Sequence, residues 1–364
     1  MPKVTVVVPT DGRVALTRAC IESILIASAA DRVDVQIVLV DSSSALEQKQ
    51  LQSICTQLGA EFLAGPRSVS EKRNLGAQRA RTDHVMFVDS DCAVGPGCLA
   101  AHLEALQDPA VQASQGTILF RGIERLAFRA VRCSGILNAF TPLLGQPVRS
   151  VASGNLMVRR GPFLLVRFDA RLGPPGLGGE DVDFGLRLTG HGFCIIGTPT
   201  AIVYHETDTW NALRLNVRRF FSWGRSEAHL IERHPATSYL DMPSPVLVTL
   251  LLGMASMAAV WWSWAAFLAL PLGFLSYAAS MSVAGARHNP QDRLGGALGH
   301  WVFFVLDLGR AWESLRRARP DVALKRLRFA DDQVTQEWRD LVPTSWAVRL
   351  MVLVGIVFLW WIVQ

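Results

Sequence analysis

The sequence of 364 residues lacks several features that would assign it to a broad class. Its six cysteines show neither the paired spacing of a zinc site nor a disulfide framework, so we expect free thiols in a reducing compartment. Its net charge of +5 is modest for this length and gives no support for nucleic acid as a partner. The amino terminus runs into a valine-rich strand pattern rather than a signal peptide, so we expect this part in the cytoplasm.

Charge is also missing from a long stretch in the carboxyl-terminal third. No charged residue and no histidine occurs between Pro243 and Ala286, whereas one bilayer crossing needs only about 20 apolar residues. The sequence therefore predicts a transmembrane hairpin, with helices near 245–263 and 265–285. A buried helical hairpin in a soluble domain is the alternative interpretation of this run.

Two further segments complete the predicted membrane region. Residues 346–363 form another apolar run of crossing length, whereas 296–312 carries charged residues and predicts a helix that lies in the interface or re-enters the membrane. The strongly basic loop 316–328 is typical of the cytoplasmic side. We therefore expect a multi-pass protein of the cell (inner) membrane, in contact with membrane lipids, whose catalytic candidate faces the cytoplasm.

Strands and helices alternate in the first ninety residues. Apolar strand patterns occupy 3–10, 34–44, 60–65 and 83–91, and helical patterns occupy 13–28, 45–59 and 68–81. This alternation predicts an α/β fold with a mostly parallel, doubly wound sheet, whose ligands bind outside the carboxyl ends of the strands. Four aspartates fall at such ends: Asp11, Asp41, Asp89 and Asp91.

Asp89 and Asp91 leave a strongly apolar strand one residue apart, in HVMFVDSDCAV. Two carboxylates at this spacing suit a divalent cation shared with a sugar-phosphate ligand, because Mg2+ and Mn2+ prefer oxygen donors and keep open positions for phosphates. Such a pair is common in proteins without a bound metal. A later strand pattern ends at His205, which we interpret either as a structural histidine or as a metal or diphosphate ligand.

A second acidic pair follows a loop rich in glycine and proline, where EDVDFGLRLTGHG predicts a helix beginning at Glu180 and Asp181. Acidic residues in a first turn stabilise the helix dipole, and this is the simpler interpretation. The functional interpretation is a general base, which needs a positioned carboxylate that accepts a proton from an incoming hydroxyl. The preceding segment 150–160 has the small residues and the strand pattern of a wall beneath an acceptor site.

The segment 211–234 combines arginines with aromatic residues at helical spacing. A basic, aromatic helix is typical of the interface with anionic headgroups. A solvated basic face and a lining of the acceptor site are the other two interpretations.

The motifs VTVVVPT, VQIVLVDSSS, SEKRNLGAQRA, FVDSDCAV, SGNLMVRR and GGEDVDFGLRL together resemble the inverting family 2 glycosyltransferases of the GT-A fold. They occur in the family's order over about residues 3–230, and the tail resembles that of members acting on lipid-linked or membrane-extruded acceptors. The implied division is a GT-A domain at 1–235, a transmembrane hairpin at 236–290, an interfacial or re-entrant helix with a basic cytoplasmic segment at 291–345, and a final transmembrane helix at 346–364.

The resemblance also implies roles for individual residues. Donor binding would fall to Pro9, Thr10, Asp11, Asp41, Arg73, Asn74 and Asp89. A divalent cation, Mn2+ or Mg2+, would be held by Asp91, Asp89 and His205. Asp181 would be the catalytic base, supported by Glu180. The acceptor would contact Gly154, Asn155, Glu180, Phe221, Trp223 and Arg225. Asp11-Gly12 stands where many members carry a Tyr-Asn or similar polar pair.

The implied reaction moves a sugar from a nucleotide-diphosphate sugar, UDP- or GDP-linked, to a lipid-linked or saccharide acceptor by a single inverting displacement. A polyprenyl-phosphate glycosyltransferase is one alternative. A non-catalytic membrane scaffold that binds nucleotide sugars is another. Asp89, Asp91 and Asp181 argue against the scaffold, because a binding protein has no use for a base.

Overall fold

The computed structural model describes residues 1–142, 144–172, 177–240 and 269–328, which divide into two units. Within the described residues, the first unit contains Met1–Ile123 and Asn138–Thr207, and the second contains Glu124–Leu137 and Asp208–Arg328. The division at residues 235, 290 and 345 that the sequence suggested stays a prediction.

The elements follow one another along the chain in the order that the alternating pattern predicts for its first part. The strands are β1 (Lys3–Thr10), β2 (Asp34–Asp41), β3 (Glu61–Ala64), β4 (His84–Phe87), β5 (Cys92–Val94), β6 (Val111–Arg121), β7 (Leu156–Arg159), β8 (Cys194–Glu206), β9 (Ser238–Leu240) and β10 (Lys325–Leu327). The helices are α1 (Val14–Asp31), α2 (Ala45–Leu58), α3 (Val69–Gln78), α4 (Cys98–Ala105), α5 (Leu126–Cys133), α6 (Arg160–Val166), α7 (Glu180–Gly190), α8 (Leu213–Arg233), α9 (Ala269–His288), α10 (Arg293–Arg316) and α11 (Pro320–Ala323).

The sheet of the first unit is mixed, so the prediction of a mostly parallel, doubly wound sheet is wrong. Its order is β3-β2-β1-β4-β7-β6-β8-β5. The strands β3, β2, β1 and β4 run parallel, as do β6 and β8, but β7 is antiparallel to both of its neighbours and β5 is antiparallel to β8. Parallel neighbours need a crossover helix. The chain enters β7 from a short 3-10 turn, Ser153–Asn155, instead.

The strands of the first half are buried on both faces, which explains their continuous apolar sequences. Val6 of β1 belongs to one core cluster with Ile21 and Ile24 of α1. The next residue, Val7, points to the opposite face and belongs to a second cluster with Phe87 of β4. The helical pattern predicted at 68–81 corresponds to α3, where the Ser68 hydroxyl accepts a hydrogen bond from the backbone amide of Glu71.

Glycines bring the helices of the second unit into backbone contact around α10. A Cβ atom at Gly296 would lie 2.4 Å from the carbonyl oxygen of Gly285 in α9. A Cβ at Gly299 would lie 2.9 Å from the carbonyl oxygen of Ala130 in α5, and one at Gly309 would lie 2.1 Å from a backbone oxygen of α8. Three faces of α10 therefore each touch a different helix at a position that admits only glycine.

The predicted membrane region requires correction. The segments 245–263 and 346–363, and the beginning of 265–285, lie outside the described residues. Among the helices of the described residues, none combines the length and the apolar character needed to cross a membrane. This finding overturns the predictions of an all-α transmembrane region and of a multi-pass protein of the cell membrane with a cytoplasmic catalytic side.

The charged residues of the segment 296–312 have partners inside the second unit. Arg310 of α10 is fully buried and pairs with Glu227 of α8 at 2.9 Å and with Asp307 at 2.8 Å. Arg326 of β10 pairs with the same Asp307. Ion pairs of this kind compensate charges away from water, which accounts for polar side chains in an otherwise apolar helix.

Candidate active site

Polar side chains gather where β1 and β2 end in the parallel part of the sheet. Asp41 is buried, and the backbone amide and hydroxyl of Ser43 donate hydrogen bonds to its Oδ2 at 3.1 and 2.6 Å. Lys72 of α3 donates from Nζ to the Thr10 carbonyl at 2.5 Å. Burial lowers the pKa of Lys72, and the charges of Asp11 and Asp41 partly offset that effect. This end of the sheet thus holds one buried lysine that feels the charges of two carboxylates.

Arg73 joins the two acidic pairs that the sequence singled out. Its Nη2 lies 2.8 Å from Asp89 Oδ1, and its Nη1 lies 2.8 Å from Glu180 Oε1. Arg73 and Glu180 are both buried, whereas the Asp89 side chain is 36% exposed. The guanidinium also lies over the ring of Phe168, 5.5 Å from its centroid. Arg73 therefore fixes the end of β4 relative to the first turn of α7.

The 3-10 turn Ser153–Asn155 forms the floor beside these acids. A Cβ atom at Gly154 would lie 3.1 Å from Asp89 Oδ2, so only a very small residue fits under that carboxylate. Asn155 is fully buried, and its Nδ2 donates to the carbonyls of Thr117 and Ala201 at 2.8 Å. Its Oδ1 lies 2.9 Å from His102 Nε2. Asn155 therefore fixes the turn from below, and a direct contact with an acceptor is not expected for it.

Asp181 is the second residue of α7, and its side chain faces the 3-10 turn Ser153–Asn155. Its Oδ2 lies 3.4 Å from the backbone nitrogen and 3.5 Å from the hydroxyl of Ser153, and its Oδ1 accepts from the amide of Val182 at 2.8 Å. Burial, reinforced by the negative charge of Glu180, raises the pKa of Asp181 to about 7, against the opposing charge of Arg73. A carboxylate with a pKa near neutrality can accept and release a proton under ordinary conditions.

Asp91 and His205 meet where β5 pairs with β8. His205 Nε2 lies 3.5 Å from Asp91 Oδ1, and its Nδ1 lies 2.8 Å from the Glu206 carbonyl oxygen. A carbonyl only accepts, so Nδ1 carries the proton and Nε2 faces the carboxylate with its lone pair in the neutral ring. The ring stacks on Phe120 with centroids 5.3 Å apart.

The donor set at this point fits a divalent cation. One ligand atom each from Asp91, His205 and Cys92 lie within 4.8 Å of one another. Burial, with the charges of Asp89 and Asp91, raises the pKa of the Cys92 thiol, so the carboxylate and the imidazole are the ligands that need no proton removed before the metal binds. Of the three predicted metal ligands, the structure brings Asp91 and His205 together, while Asp89 turns one oxygen to Arg73.

The structure adds residues that the sequence reasoning did not single out. Arg13 pairs with Asp91 through Nη1 and Oδ2, and Ser153 contacts Asp181. Arg13 is the first basic residue after the carboxyl end of β1, and this position could have pointed to it. Lys72 precedes Arg73 in the motif of α3, but the spacing alone could not show that its side chain points towards the end of β1.

Two predicted donor residues have local roles. Pro9 lies within β1, paired in register with Val40 of β2. Asn74 donates from Nδ2 to the Phe168 carbonyl at 2.8 Å and accepts from the Phe168 amide at 3.0 Å. Both polar groups of Asn74 are therefore engaged with the backbone that supports the ring below Arg73.

The predicted acceptor residues of α8 belong to the second unit. Arg225 Nε lies 2.8 Å from Glu313 of α10, whose side chain is fully buried. Trp223 packs edge to face against Phe220, with ring centroids 5.3 Å apart. Phe221 supplies the backbone oxygen that approaches Gly309.

Comparison with known proteins found a matching family and similar solved structures. The family described as "Glycosyltransferase like family 2" matches residues 2–226. A mannosyltransferase from Pyrobaculum calidifontis, solved with GDP-Man and Mn2+, is similar over 86% of this chain and 88% of its own, at 17% identity and a TM-score of 0.53. GalNAc-T7 with UDP, GalNAc and Mn2+ is similar over 63% of this chain and 51% of its own, at 17% identity and a TM-score of 0.44. No curated protein matches the chain. Because this family matches more than half of the chain, the chain belongs to the family 2 glycosyltransferases, and it carries their GT-A fold.

Proposed function

We propose that this glycosyltransferase moves a sugar from a nucleoside-diphosphate sugar to an acceptor hydroxyl by a single inverting displacement, with Asp181 as the general base. The observation that carries the proposal is the environment of Asp181. Its carboxylate faces Ser153, and burial together with Glu180 raises its pKa to about 7. A helix-capping acid has no need of such a pKa, whereas a general base does.

The displacement follows from this assignment. Asp181 takes the proton of the acceptor hydroxyl while the hydroxyl oxygen attacks the anomeric carbon from the face opposite the diphosphate. The bond between the anomeric carbon and the diphosphate oxygen breaks, and its electron pair leaves with the nucleoside diphosphate. One displacement inverts the configuration, and no covalent intermediate with the protein is formed. Gly154, which lies against Asp89, and Glu180, which precedes the base in α7, are the candidates for acceptor contacts.

Asp91 and His205 would hold the cation, and the charge of that cation would offset the charge that builds on the leaving diphosphate. Carboxylate oxygen suits both Mg2+ and Mn2+, but an imidazole nitrogen suits a transition metal better. The pairing of His205 with Asp91 at 3.5 Å therefore favours Mn2+ over Mg2+. The mannosyltransferase of similar fold was solved with Mn2+ and GDP-Man, which supports the same choice.

Donor binding is assigned to the carboxyl ends of β1 and β2. Thr10, Asp11 and Asp41 border this end, and Asp41 is buried with its hydrogen bonds directed by Ser43. We expect a UDP- or GDP-sugar as the donor, and a saccharide or a lipid-linked hydroxyl as the acceptor. The acceptor roles of Phe221, Trp223 and Arg225 stay predictions.

Replacing Asp181 with Asn tests the proposal, because asparagine keeps the shape of the side chain and cannot accept the proton. We expect turnover to fall at least about 100-fold, the contribution typical of general base catalysis, with the affinity for UDP or GDP unchanged. The matched control is Asp169→Asn, an acid whose carboxylate pairs with Arg171. Unchanged turnover in the Asp181 variant would show that another group removes the proton or that the domain only binds nucleotide sugars.

A further inference from the structure

Arg13 starts α1 with a backbone conformation that helix capping does not explain. Its φ of 53° and ψ of 44° lie in the left-handed region, which residues other than glycine seldom adopt. The residue before a helix is usually extended, with a side chain that accepts a hydrogen bond from the first turn, but the arginine side chain makes no such bond. Gly12, just before it, also has a positive φ of 75°.

The side chain of Arg13 reaches Asp91 instead. The guanidinium is 49% exposed, whereas the carboxylate that it meets is 8% exposed. The arginine holds Oδ2 of Asp91, and His205 Nε2 faces Oδ1 of the same carboxylate at 3.5 Å. A half-exposed guanidinium is thus placed on a nearly buried carboxylate that also belongs to the candidate metal centre.

We propose that Arg13 and the divalent cation exchange on the Asp91 carboxylate, and that the released guanidinium then binds the diphosphate of the donor. This inference rests on the metal site of the proposed function. An ion pair with one half-exposed partner contributes little, so a doubly charged ion displaces it readily. The diphosphate must lie beside the cation, and the planar guanidinium suits two phosphate oxygens at once.

The exchange gives Arg13 two effects of opposite sign. Before the donor arrives, Arg13 competes with the metal and weakens metal binding. After the metal has bound, the same side chain strengthens nucleotide binding. Loss of folding cannot imitate this combination, because an unfolded fraction weakens both kinds of binding. The protein would therefore bind metal and nucleotide together more readily than metal alone.

The experiment compares the full chain with Arg13→Ala, Arg18→Ala and Asp91→Ala. Arg18→Ala is the matched control, because it removes the same charge from α1, the helix that Arg13 precedes, and Arg18 pairs at the surface with Glu22 at 2.8 Å. Mn2+ affinity without nucleotide is measured by electron paramagnetic resonance of free Mn2+. The affinity for UDP and GDP is then measured by calorimetry at saturating Mn2+.

We expect Arg13→Ala to bind Mn2+ about 2- to 5-fold more tightly and the nucleoside diphosphates at least about tenfold more weakly. Arg18→Ala should change neither affinity. If the alanine variant does not fold, Arg13→Met, which keeps the aliphatic stem, takes its place. An Mn2+ affinity that is unchanged or weaker in the Arg13 variant overturns the exchange, and so does an unchanged nucleotide affinity.

Asp91→Ala separates this failure from failure of the proposed function. If Mn2+ binding is lost in Asp91→Ala but equal in Arg13→Ala and the unaltered chain, the metal site stands and only the exchange is overturned. If Mn2+ binds no better to the unaltered chain than to Asp91→Ala, the metal site assigned under the proposed function is wrong, and the exchange fails with it.

Discussion

Arg73 and Glu180 form a buried ion pair, with 2.8 Å between Nη1 and Oε1, although 107 positions separate them in the chain. A buried carboxylate is tolerated only when a cation or hydrogen-bond donors compensate it. Glu180 begins α7, so the position of the helix that carries Asp181 depends on a side chain of α3.

Replacing Arg73 with Met should destabilise the protein strongly. It keeps most of the side-chain volume but leaves the Glu180 carboxylate buried without its cation, at a cost of about 3–5 kcal/mol. Urea denaturation measures the loss. Arg79→Met removes an arginine at the end of the same helix whose partner, Glu61, is paired at the surface, and it should cost less than about 1 kcal/mol. Equal losses in the two variants would contradict this account.

The pH dependence of turnover should report the Asp181 and Glu180 pair. The base acts only when it is ionised, so kcat/KM should rise tenfold per pH unit below about 7 and level off above it. Glu180→Gln removes the negative charge that helps raise the pKa of Asp181, so the midpoint of the profile should move to lower pH. Glu71→Gln, an exposed acid in the first turn of α3, serves as the control. A midpoint that stays near 7 in Glu180→Gln would refute the assigned cause.

His102 should make stability depend on pH below neutrality. Burial lowers its pKa from 6.5 to about 4, so the neutral ring stabilises the fold above 6.5 and this contribution is lost as the pH falls towards 4. His102→Gln lacks the titrating group but can still bond Ser114 and Asn155. Its deficit in unfolding free energy should therefore shrink by roughly 2–3 kcal/mol between about pH 7 and about pH 4.5. The exposed His191→Gln should show no such change, and a constant deficit would disprove the role of the ring.

Gly224 should not tolerate even a methyl group. A Cβ at this position of α8 would lie 1.8 Å from the Leu306 carbonyl oxygen in α10, so Gly224→Ala must push the two helices apart. We expect a loss of about 3 kcal/mol or more, measured by thermal unfolding. At Gly161 a Cβ meets no atom within 4 Å, and Gly161→Ala should change stability by less than about 0.5 kcal/mol. A mild effect at Gly224 would mean that the helices are not in contact there.

Local sequence signals predicted the elements that carry the site. The strands β1, β2 and β4 were evident because both of their faces are buried, which produces unbroken apolar runs ending at an aspartate. The helix at Glu180 was evident from its acidic first turn. These signals lie within one element and need no knowledge of its neighbours.

Relations between distant elements could not be predicted in the same way. Nothing in the residues of β7 states that it will lie antiparallel between β4 and β6. Asn155 looked like a residue of the acceptor wall, yet its bonds to Thr117, Ala201 and His102 depend on three other elements. The charges of α10 indicated an interface helix because their partners on α8 and β10 are far away in the sequence.

Three of the four glycines of α10 also bear on how the second unit unfolds. Gly296, Gly299 and Gly309 place the backbone of α10 against α9, α5 and α8. If α9, α5 or α8 alone moved away from α10, a strip of α10 backbone would face water without a side chain to cover it. We therefore expect these helices to separate from α10 together. The amide protons of all four helices should therefore exchange with solvent through one shared opening, as a single cooperative unit.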